Sequence, residues 1–559
     1  MPEPKQQTTK SKRGGRNRRN KKFQKPKVSD VTDGMKQMGM KNKAPKAPQA
    51  KANVPAAKTF TPEQTALRNL LSEVVTKCNG KQVEDDGTSA IEQFTAALTT
   101  AELVVSSDVT SMIVTELLKS KSGAAREAGC KIVTAIATKL GESVVPSLFA
   151  MSGIVLALCG DKKAKGVTIW GIDKKKYLDF TMVGIGTSVL GYSDKDINFA
   201  AINAIKSGSM TTLNPLEDVE LAEELLKIHS WAGSVKFART GGESMSIAVR
   251  LSRAFTKKDK VLFCGYHGWQ DWYLSANLKS NKKLNEHLLP GLEPLGVPKG
   301  LIGSVIPFRF NDWKDLEKVV KKNAKDCAAI VLEPCREKFP DKEYLQELRR
   351  IADKNNCVLI FDEITSGWRI NTGGAHQKFK INPDLVVYGK TIANGIPMGA
   401  IVGRKKIMSL ALKSFISSSF WTEKVGPACA LTFIKKHRKL KVGKKLNTIG
   451  LKIKKVWRDA AKKNNLEIEI NGINPLATFK LRTKNWPATI TYFNQEMLKE
   501  NILASDRCYA NLKHNDKNIK MYRDACEKIF QNIYEIDKKN ILEKKLEGPI
   551  KQMGFRRLT

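Results

Sequence analysis

Two short apolar runs, each ending in a chemically useful side chain, constrain the fold of this chain more than any other feature. Residues 358–361 are apolar and lead into Asp362, and residues 386–388 lead through a glycine into Lys390. Gly and Pro follow the lysine at once, and short apolar runs bounded by such residues are typical of buried strands. We therefore predict two strands that deliver an acid at one strand end and a lysine at the next.

An acid and a lysine in this arrangement suit pyridoxal 5'-phosphate. A lysine held in a partly dry pocket has a lowered pKa, and its amine becomes nucleophilic. The cofactor needs a lysine that forms a Schiff base and a carboxylate on its pyridine nitrogen. Lys390 and Asp362 are the catalytic candidates for these two roles. A lone lysine after a strand is also typical of a solvated surface, and the acid on the preceding strand favours the catalytic interpretation.

Two ordered motifs carry a resemblance to a known family. The segments Phe-Asp-Glu-Ile at 361–364 and Gly-Lys-Thr-Ile-Ala-Asn-Gly at 389–395 resemble the class III (fold type I) pyridoxal-phosphate aminotransferases. The subgroup akin to glutamate-1-semialdehyde aminomutase is the most similar, and the resemblance runs from about 165 to about 533. It implies an α/β fold with a mostly parallel central sheet over 164–435 and a small C-terminal α/β domain over 436–559, which includes a basic tail.

A pair of glycines before a helical pattern predicts an anion site. Gly241 and Gly242 precede the long helix expected over residues 245–255. Glycines at a helix N-terminus expose backbone N–H groups, and the helix dipole adds positive potential. By resemblance these two glycines lie at the cofactor's phosphate. Many relatives have Ser or Thr where Gly242 stands, so we expect the backbone to contribute more of the phosphate contacts here.

The resemblance assigns four further cofactor contacts. Tyr266 follows the strand expected from residue 261 and is the ring-stacking residue, with His267 beside it. Glu333 ends another buried strand and lies near the cofactor's phenolic oxygen. Thr422 reaches the phosphate of the neighbouring subunit, which implies a homodimer. Both His267 and Thr422 also have plain alternatives, a structural hydrogen bond and a surface hydroxyl.

The start of the chain differs from the rest in composition. The 559 residues carry a formal net charge of +40, and residues 1–60 form a basic, acid-poor stretch with few apolar side chains. Such a stretch buries too little apolar area to offset its ordering entropy, so we predict a disordered tail. A basic tail favours contact with RNA or the ribosome. A solubilising or localisation role is the alternative.

Residues 61–163 show helical apolar spacing with few strand signals. Residues 109–140 predict two antiparallel helices, and the segment resembles the HEAT-repeat start of translation elongation factor 3. The chain contains no GxxxxGK[ST] loop, so we do not expect an ATPase. Because the character changes abruptly at 162–166, two hypotheses stay beside the enzyme. One is a ribosome- or RNA-associated protein with a vestigial aminotransferase domain, and the other is a fusion without a joint function.

Cysteine usage and hydropathy bear on the compartment. The ten cysteines are scattered without CxxC pairs, which favours reduced thiols and a cytoplasmic protein. No run of 18 apolar residues is present, so we expect no membrane span. No metal-binding set is indicated.

The sequence leaves the substrate open. We expect a small amino or keto compound, a carboxylate or a sugar-like molecule, and either transamination or 1,2-aminomutation. Four arginines could each hold a carboxylate: Arg239, Arg309, Arg336 and Arg369. Elsewhere, residues 166–180 predict a hairpin with its turn near Asp173, and residues 488–493 predict a strand.

Overall fold

This computed structural model describes most of the chain from residue 161 onward. The described residues are 161–171, 175–280, 283–285, 287, 290–551 and 553. The tail predicted over 1–60 lies outside them, as do residues 61–160 of the predicted helical segment and residues 172–174, where the hairpin turn is expected.

The described chain alternates strands and helices through most of its length. Its strands, in chain order, are β1 (Asp161–Lys165), β2 (Thr168–Gly171), β3 (Lys176–Phe180), β4 (Ser234–Ala238), β5 (Lys260–Cys264), β6 (Val305–Pro307), β7 (Cys327–Leu332), β8 (Val358–Asp362), β9 (Leu385–Tyr388), β10 (Gly399–Gly403), β11 (Ile468–Asn471), β12 (Leu476–Leu481), β13 (Ile502–Ala504) and β14 (Arg507–Tyr509).

Its helices, in chain order, are α1 (Lys195–Lys206), α2 (Leu216–Ile228), α3 (Gly241–Thr256), α4 (Asp271–Leu274), α5 (Trp313–Asn323), α6 (Lys342–Lys354), α7 (Ala375–Phe379), α8 (Lys405–Met408), α9 (Val425–Leu440), α10 (Val442–Lys463), α11 (Trp486–Lys499) and α12 (Asp516–Lys538). Short 3-10 turns also occur, at Ser275–Asn277, Lys299–Leu301, Ala324–Asp326, Lys390–Ala393, Ser409–Leu412 and Glu543–Lys545.

The central sheet has seven strands in the order β4-β10-β9-β8-β7-β5-β6. The pairs from β9 through β6 are parallel, and β10 runs antiparallel to both of its neighbours. Parallel strands need crossover connections: α6 connects β7 to its neighbour β8, and α5 connects β6 to β7 across β5. The predicted α/β fold with a mostly parallel central sheet is confirmed.

The strands of this sheet are apolar throughout because both faces of the sheet are covered. In β7, Ala329 and Val331 belong to the core that includes α3, whereas Ile330 and Leu332 belong to the core that includes α9. The sequences of parallel strands buried on both faces are continuous apolar runs.

Strands β5, β7, β8 and β9 run parallel, so their carboxyl ends meet at one edge of the sheet. Polar side chains follow each of these strands at that edge.

A smaller sheet forms the C-terminal part of the chain. Strands β11, β12 and β14 pair antiparallel, and α10, α11 and α12 pack on them. Their shared core contains Trp457, Phe479 and Phe530, and the rings of Trp457 and Phe479 lie 4.8 Å apart. The predicted small α/β domain is thus present in the described chain.

The predicted hairpin over 166–180 forms, and it also joins the two ends of the described chain. Strands β2 and β3 pair antiparallel, and β3 pairs in parallel with β13. The ring of Phe180 stacks on Tyr522 of α12 with centroids 4.2 Å apart. The hairpin therefore belongs to a four-stranded sheet that contains one strand of the C-terminal part. The domain division at 163, 435 and 559 stays a prediction.

The strand predicted over 488–493 is wrong, because these residues form the first half of α11. The side chain of Asn485 caps the helix by accepting from the backbone N–H of Ala488 at 3.2 Å, and Pro487 stands in the first turn. The β-branched residues Thr489 and Ile490 favour strand by propensity. Burial on one helical face outweighs that preference, since propensity differences are small.

Two further features of the described residues bear on function. No described helix is both long and apolar enough to cross a membrane. Among the same residues, no group of three or more His, Cys, Asp or Glu side chains is placed to hold a metal ion.

Candidate active site

Lys390 stands immediately beyond β9, where the chain enters a 3-10 turn. Its backbone φ is +43°, in the left-handed region that non-glycine residues rarely adopt, and such strain is common at functional sites. The amine donates to the hydroxyl of Thr365 at 2.9 Å. Burial, together with the neighbouring guanidinium of Arg336, lowers the pKa of Lys390 to about 8. A substantial share of this amine is therefore neutral near physiological pH.

The hydroxyl of Thr365 links Lys390 to a buried arginine. Nη2 of Arg336 donates to the same Thr365 oxygen at 3.1 Å, and Nη1 donates to Glu333 at 3.1 Å. The two cations thus share one acceptor, and Glu333 neutralises the arginine. Glu333 also accepts from the backbone N–H of Tyr266 at 3.1 Å. This chain of contacts connects the ends of β5, β7, β8 and β9.

Asp362, the last residue of β8, is buried and firmly oriented. One carboxylate oxygen lies 2.8 Å from Nδ1 of His267, and the other accepts from the backbone N–H of Ile364 at 3.0 Å. The second ring nitrogen of His267 lies 3.2 Å from the carbonyl of Cys264. Both nitrogens of His267 are therefore engaged by the protein, so the structure places this histidine as a support for Asp362.

Tyr266 follows β5 and is partly buried, with its ring 6.0 Å from that of Tyr273 in an edge-on arrangement. Burial raises the pKa of the Tyr266 hydroxyl, so the ring stays neutral. Because its backbone is bonded to Glu333, the position of the ring is tied to the end of β7.

The predicted anion site lies at the N-terminus of α3, which begins at Gly241. Thr240 caps the helix, and its hydroxyl accepts from the backbone N–H of Glu243 at 3.3 Å. The first N–H groups of a helix have no partner within it, so those of Gly241 and Gly242 are left for an anion. A Cβ atom at Gly242 would overlap the side-chain amide of Gln270. Gln270 therefore occupies the space that a larger residue at 242 would fill.

Thr422 is partly exposed and is not brought into contact with the other candidates. Its hydroxyl donates to the carbonyl of Thr211 at 3.0 Å. The adjacent Glu423 pairs with Met210 through an isolated antiparallel β-bridge of the backbone. Exposed apolar side chains are numerous in the same two segments: Met210, Leu213, Leu216, Leu412, Phe415 and Phe420. The contact of Thr422 with a neighbouring subunit stays a prediction.

The four candidate arginines differ in their surroundings. The guanidinium of Arg239 donates to the backbone carbonyl of Glu423 at 2.8 Å. It also forms an ion pair with the Glu423 carboxylate at 3.5 Å. Arg309 is mostly exposed and lies 3.5 Å from Asp312. Arg369 is fully buried and donates to the carbonyls of Thr365 and Gly186. Arg336 alone of the four is both buried and bonded to a candidate site residue, Glu333.

Three residues that contribute to this geometry have no role in the sequence analysis. Thr365 bridges Lys390 and Arg336, Gln270 covers Gly242, and Arg507, from the C-terminal part, lines a cavity that Glu333 also lines. Thr365 and Gln270 each lie within four residues of a recognised motif residue, which is the signal that could have found them. Arg507 is far along the chain, so only folding brings it here.

These residues fit pyridoxal 5'-phosphate. The site offers an amine with a lowered pKa, a carboxylate fixed by His267, a partly buried aromatic ring, and a helix start kept open by two glycines. The donors and acceptors match the aldehyde, ring nitrogen, ring face and phosphate of that molecule. Lys390, Asp362, Tyr266 and the Gly241–Gly242 backbone would hold it.

A protein family matches more than half of the chain. The family described as "Aminotransferase class-III" matches residues 153–485. The match includes the last eleven residues, 153–163, of the segment predicted to be HEAT-like.

Curated relatives are about a third identical to the chain over the residues that align. A 3-aminobutyryl-CoA aminotransferase of Cloacimonas acidaminovorans is 32% identical over 278 residues, which cover 48% of this chain and 63% of that protein. A glutamate-1-semialdehyde 2,1-aminomutase of Ignicoccus hospitalis is 33% identical over 309 residues, which cover 54% and 72%. The chain therefore spans less than two thirds of the first relative and somewhat more of the second.

Among solved structures, one described as a transaminase with pyridoxal phosphate bound matches with a TM-score of 0.61. It is 23% identical, and the match covers 68% of this chain and 92% of that chain. At this level of identity the likeness concerns the fold.

Proposed function

The chain belongs to the class-III aminotransferase family, whose cofactor is pyridoxal 5'-phosphate, and we propose that it transfers amino groups with this cofactor held on Lys390. The observation that carries the proposal is the Lys390 amine itself. It lies at the end of β9, its pKa is lowered to about 8, and Glu333 and Asp362 lie close enough to influence that pKa. The transfer runs either between two molecules or between two carbons of one molecule.

When bound, the cofactor supplies an aldehyde that joins to amines and a ring that withdraws electrons from the substrate carbon. The chain contributes binding, orientation and proton transfer. Lys390 acts as the nucleophile that captures the cofactor. With a substrate amine in its place on the cofactor, the free lysine amine would move a proton between the substrate carbon and the cofactor carbon, first as a base and then as an acid.

Asp362 holds the proton on the ring nitrogen. Its carboxylate is oriented by His267 on one oxygen and by the Ile364 N–H on the other, which keeps it directed at a fixed point. His267 acts through Asp362 and is a positioning residue. Glu333 holds Arg336 and the Tyr266 backbone, and so fixes the region where the phenolic oxygen would lie.

The start of α3 receives the phosphate. Gly241 and Gly242 supply backbone N–H groups, and the helix dipole favours the negative charge. Gln270, whose amide lies against Gly242, supplies a side-chain donor in the place that Ser or Thr occupies in many relatives. Thr422 is the candidate contact to the phosphate of a second subunit.

We infer a homodimer from the surface around Thr422. Phe415 and Leu412 are each about 90% exposed, and large exposed apolar patches mark interaction sites. Sedimentation of the full chain tests this inference, and a monomer at micromolar concentration would contradict it. We also assign the protein to the cytoplasm, in line with the seven described cysteines, all of them free and buried.

The visible absorption spectrum of the full chain with pyridoxal phosphate tests the proposed function. A band from the lysine-bound cofactor is expected in the parent and is expected to be lost in Lys390→Ala, together with amino transfer. Lys257→Ala is the matched control, because Lys257 is exposed and also has a positive φ, +59°. Retained turnover in Lys390→Ala would refute the role of this lysine.

A further inference from the structure

A cavity of about 650 Å³ adjoins the site on the side of the C-terminal part. Gly265 and Glu333 line it from the ends of β5 and β7, and Asn471 and Arg507 line it from the smaller sheet. The loop after β7 forms one wall of the cavity and is hydrogen-bonded to the C-terminal part. The backbone N–H of Gly472 donates to the carbonyl of Glu337 at 2.8 Å, which fixes this wall to the C-terminal part.

The lining carries more cations than carboxylates. Its cations are Arg309, Arg336, Lys338 and Arg507, and its carboxylates are Glu333 and Glu337. Glu333 already accepts from Arg336 and from the Tyr266 backbone, so its oxygens are largely committed. An anion in this space meets several donors, and two cations can each form charge-assisted bonds to it.

Two of these cations have side chains suited to a ligand. Asp506, which is not part of the lining, lies 3.0 Å from Nη2 of Arg507 and holds the guanidinium in place. Lys338 lies over the ring of Phe310, 5.9 Å from its centroid, and has no carboxylate partner among the described residues. The position of the Arg507 guanidinium is thus fixed by Asp506, and the charge of Lys338 is not compensated by a described carboxylate.

Arg336 connects the cavity to the reacting centre. It lines the cavity, while its Nη2 shares the Thr365 hydroxyl with the amine of Lys390. Its Nε is buried without a hydrogen-bond partner among the described residues. One arginine side chain therefore separates the lysine from the cationic space.

The cavity is larger than a small amino acid needs. Pockets of about 300 to 1,000 Å³ accept molecules of drug size, which matches a sugar more closely than a short-chain acid. Size and charge together define the ligand class.

We propose that this cavity binds the anionic end of a sugar-sized amino or carbonyl substrate, a phosphate or carboxylate group, while its reacting carbon lies at Lys390. The proposal rests on the proposed amino transfer, and it names the substrate class for that site. Arg507 and Lys338 hold the anion, and Arg336 lies between the anion and the reacting carbon. Of the four arginines that the sequence leaves open, the structure selects Arg336 and adds Arg507.

Binding of charged and neutral probe pairs tests the proposal without any turnover. Calorimetry on the full chain compares glucose 6-phosphate with glucose, and gluconate with glucose, which separates phosphate from carboxylate. We expect at least one anion to bind about tenfold or more tightly than glucose, because hydrogen bonds to charged groups are worth more than neutral ones. Arg507→Met and Lys338→Met should each remove about tenfold of that affinity.

Arg482→Met is the matched control, since Arg482 forms an exposed ion pair with Glu469 outside the cavity and its loss should leave the preference unchanged. This control also excludes binding to the basic surface in general. Equal affinities within both pairs, or equal losses in Arg482→Met and Arg507→Met, would overturn the proposal.

A second measurement distinguishes a failure of the anion-site proposal from a failure of the proposed amino transfer. The cofactor band is followed after addition of glucosamine 6-phosphate or glucosamine, and the phosphorylated amine should react with the lower half-saturation concentration in the parent but not in Arg507→Met. If neither amine nor any other donor changes the band while the calorimetric preference persists, the amino transfer is wrong and the anion site stands.

Discussion

Lys390 should titrate well below the ordinary lysine value. Burial and Arg336 hold its pKa at about 8, and the neutral amine is the form that captures the cofactor. The rate at which the cofactor-free protein captures pyridoxal phosphate should therefore rise with pH and reach half of its maximum near pH 8. Stopped-flow absorbance across pH 6 to 11 measures this rate. A half-maximum at the ordinary lysine value would show that the amine is solvated.

Thr365 is the acceptor that Lys390 and Arg336 share, at 2.9 and 3.1 Å. Replacing it by valine keeps the shape but removes an oxygen that favours the ammonium form. The capture profile should then move to lower pH by roughly 0.7, since a net hydrogen bond is worth about 1 kcal/mol. Thr365→Ser keeps the hydroxyl and should leave the profile in place. Identical profiles in the valine and serine variants would refute the role of this hydroxyl.

At the scale of an element, the start of α3 depends on the fit between Gly242 and Gln270. An added methyl group at 242 overlaps the Gln270 amide, so Gly242→Ala should displace that side chain. We expect about tenfold weaker binding of pyridoxal phosphate, measured by titration of the cofactor band, since one charge-assisted contact is lost.

Two variants separate this clash from a general effect of alanine. Gln270→Ala removes the same amide and should weaken binding by a similar factor, and the double variant should be little worse than either single one. Gly300→Ala adds a methyl group where no atom lies within 4 Å and should have no effect. Additive losses in the double variant would show that the two residues act independently.

For the whole molecule, Phe180 joins the first described strands to the last long helix. Its ring is fully buried between Tyr522, at 4.2 Å, and His514, at 4.5 Å. Phe180→Ala should lower the free energy of unfolding by about 3 to 5 kcal/mol, the usual cost of removing a buried aromatic ring. Leu498→Ala, at a half-exposed position on α11, is the control and should cost far less. Denaturant unfolding measures both, and equal costs would contradict this account of the packing.

Much of the fold is predictable from local pattern, and the exceptions have physical causes. The apolar runs before Asp362 and Lys390 predict β8 and β9 because a parallel sheet buried on both faces allows few polar residues. The β-branched residues after Ala488 predict a strand wrongly, because the N-cap and the burial of one helical face stabilise α11 by more than the local strand preference. The pairing of β3 with β13 joins residues more than 300 positions apart, and no local pattern encodes it.

The sequence by itself determined the chemistry: a lysine and an acid at the ends of successive buried strands, two glycines at a helix start, and the family motifs around them. These signals are local, because strand period, helix caps and motif spacing are set by neighbours in the chain. Only the tertiary structure decided which side chains share that edge of the sheet. It bonds Thr365 to both Lys390 and Arg336, sets Gln270 against Gly242, and brings Arg507 to the cavity. Such contacts arise from the packing of distant segments, which composition and spacing do not specify.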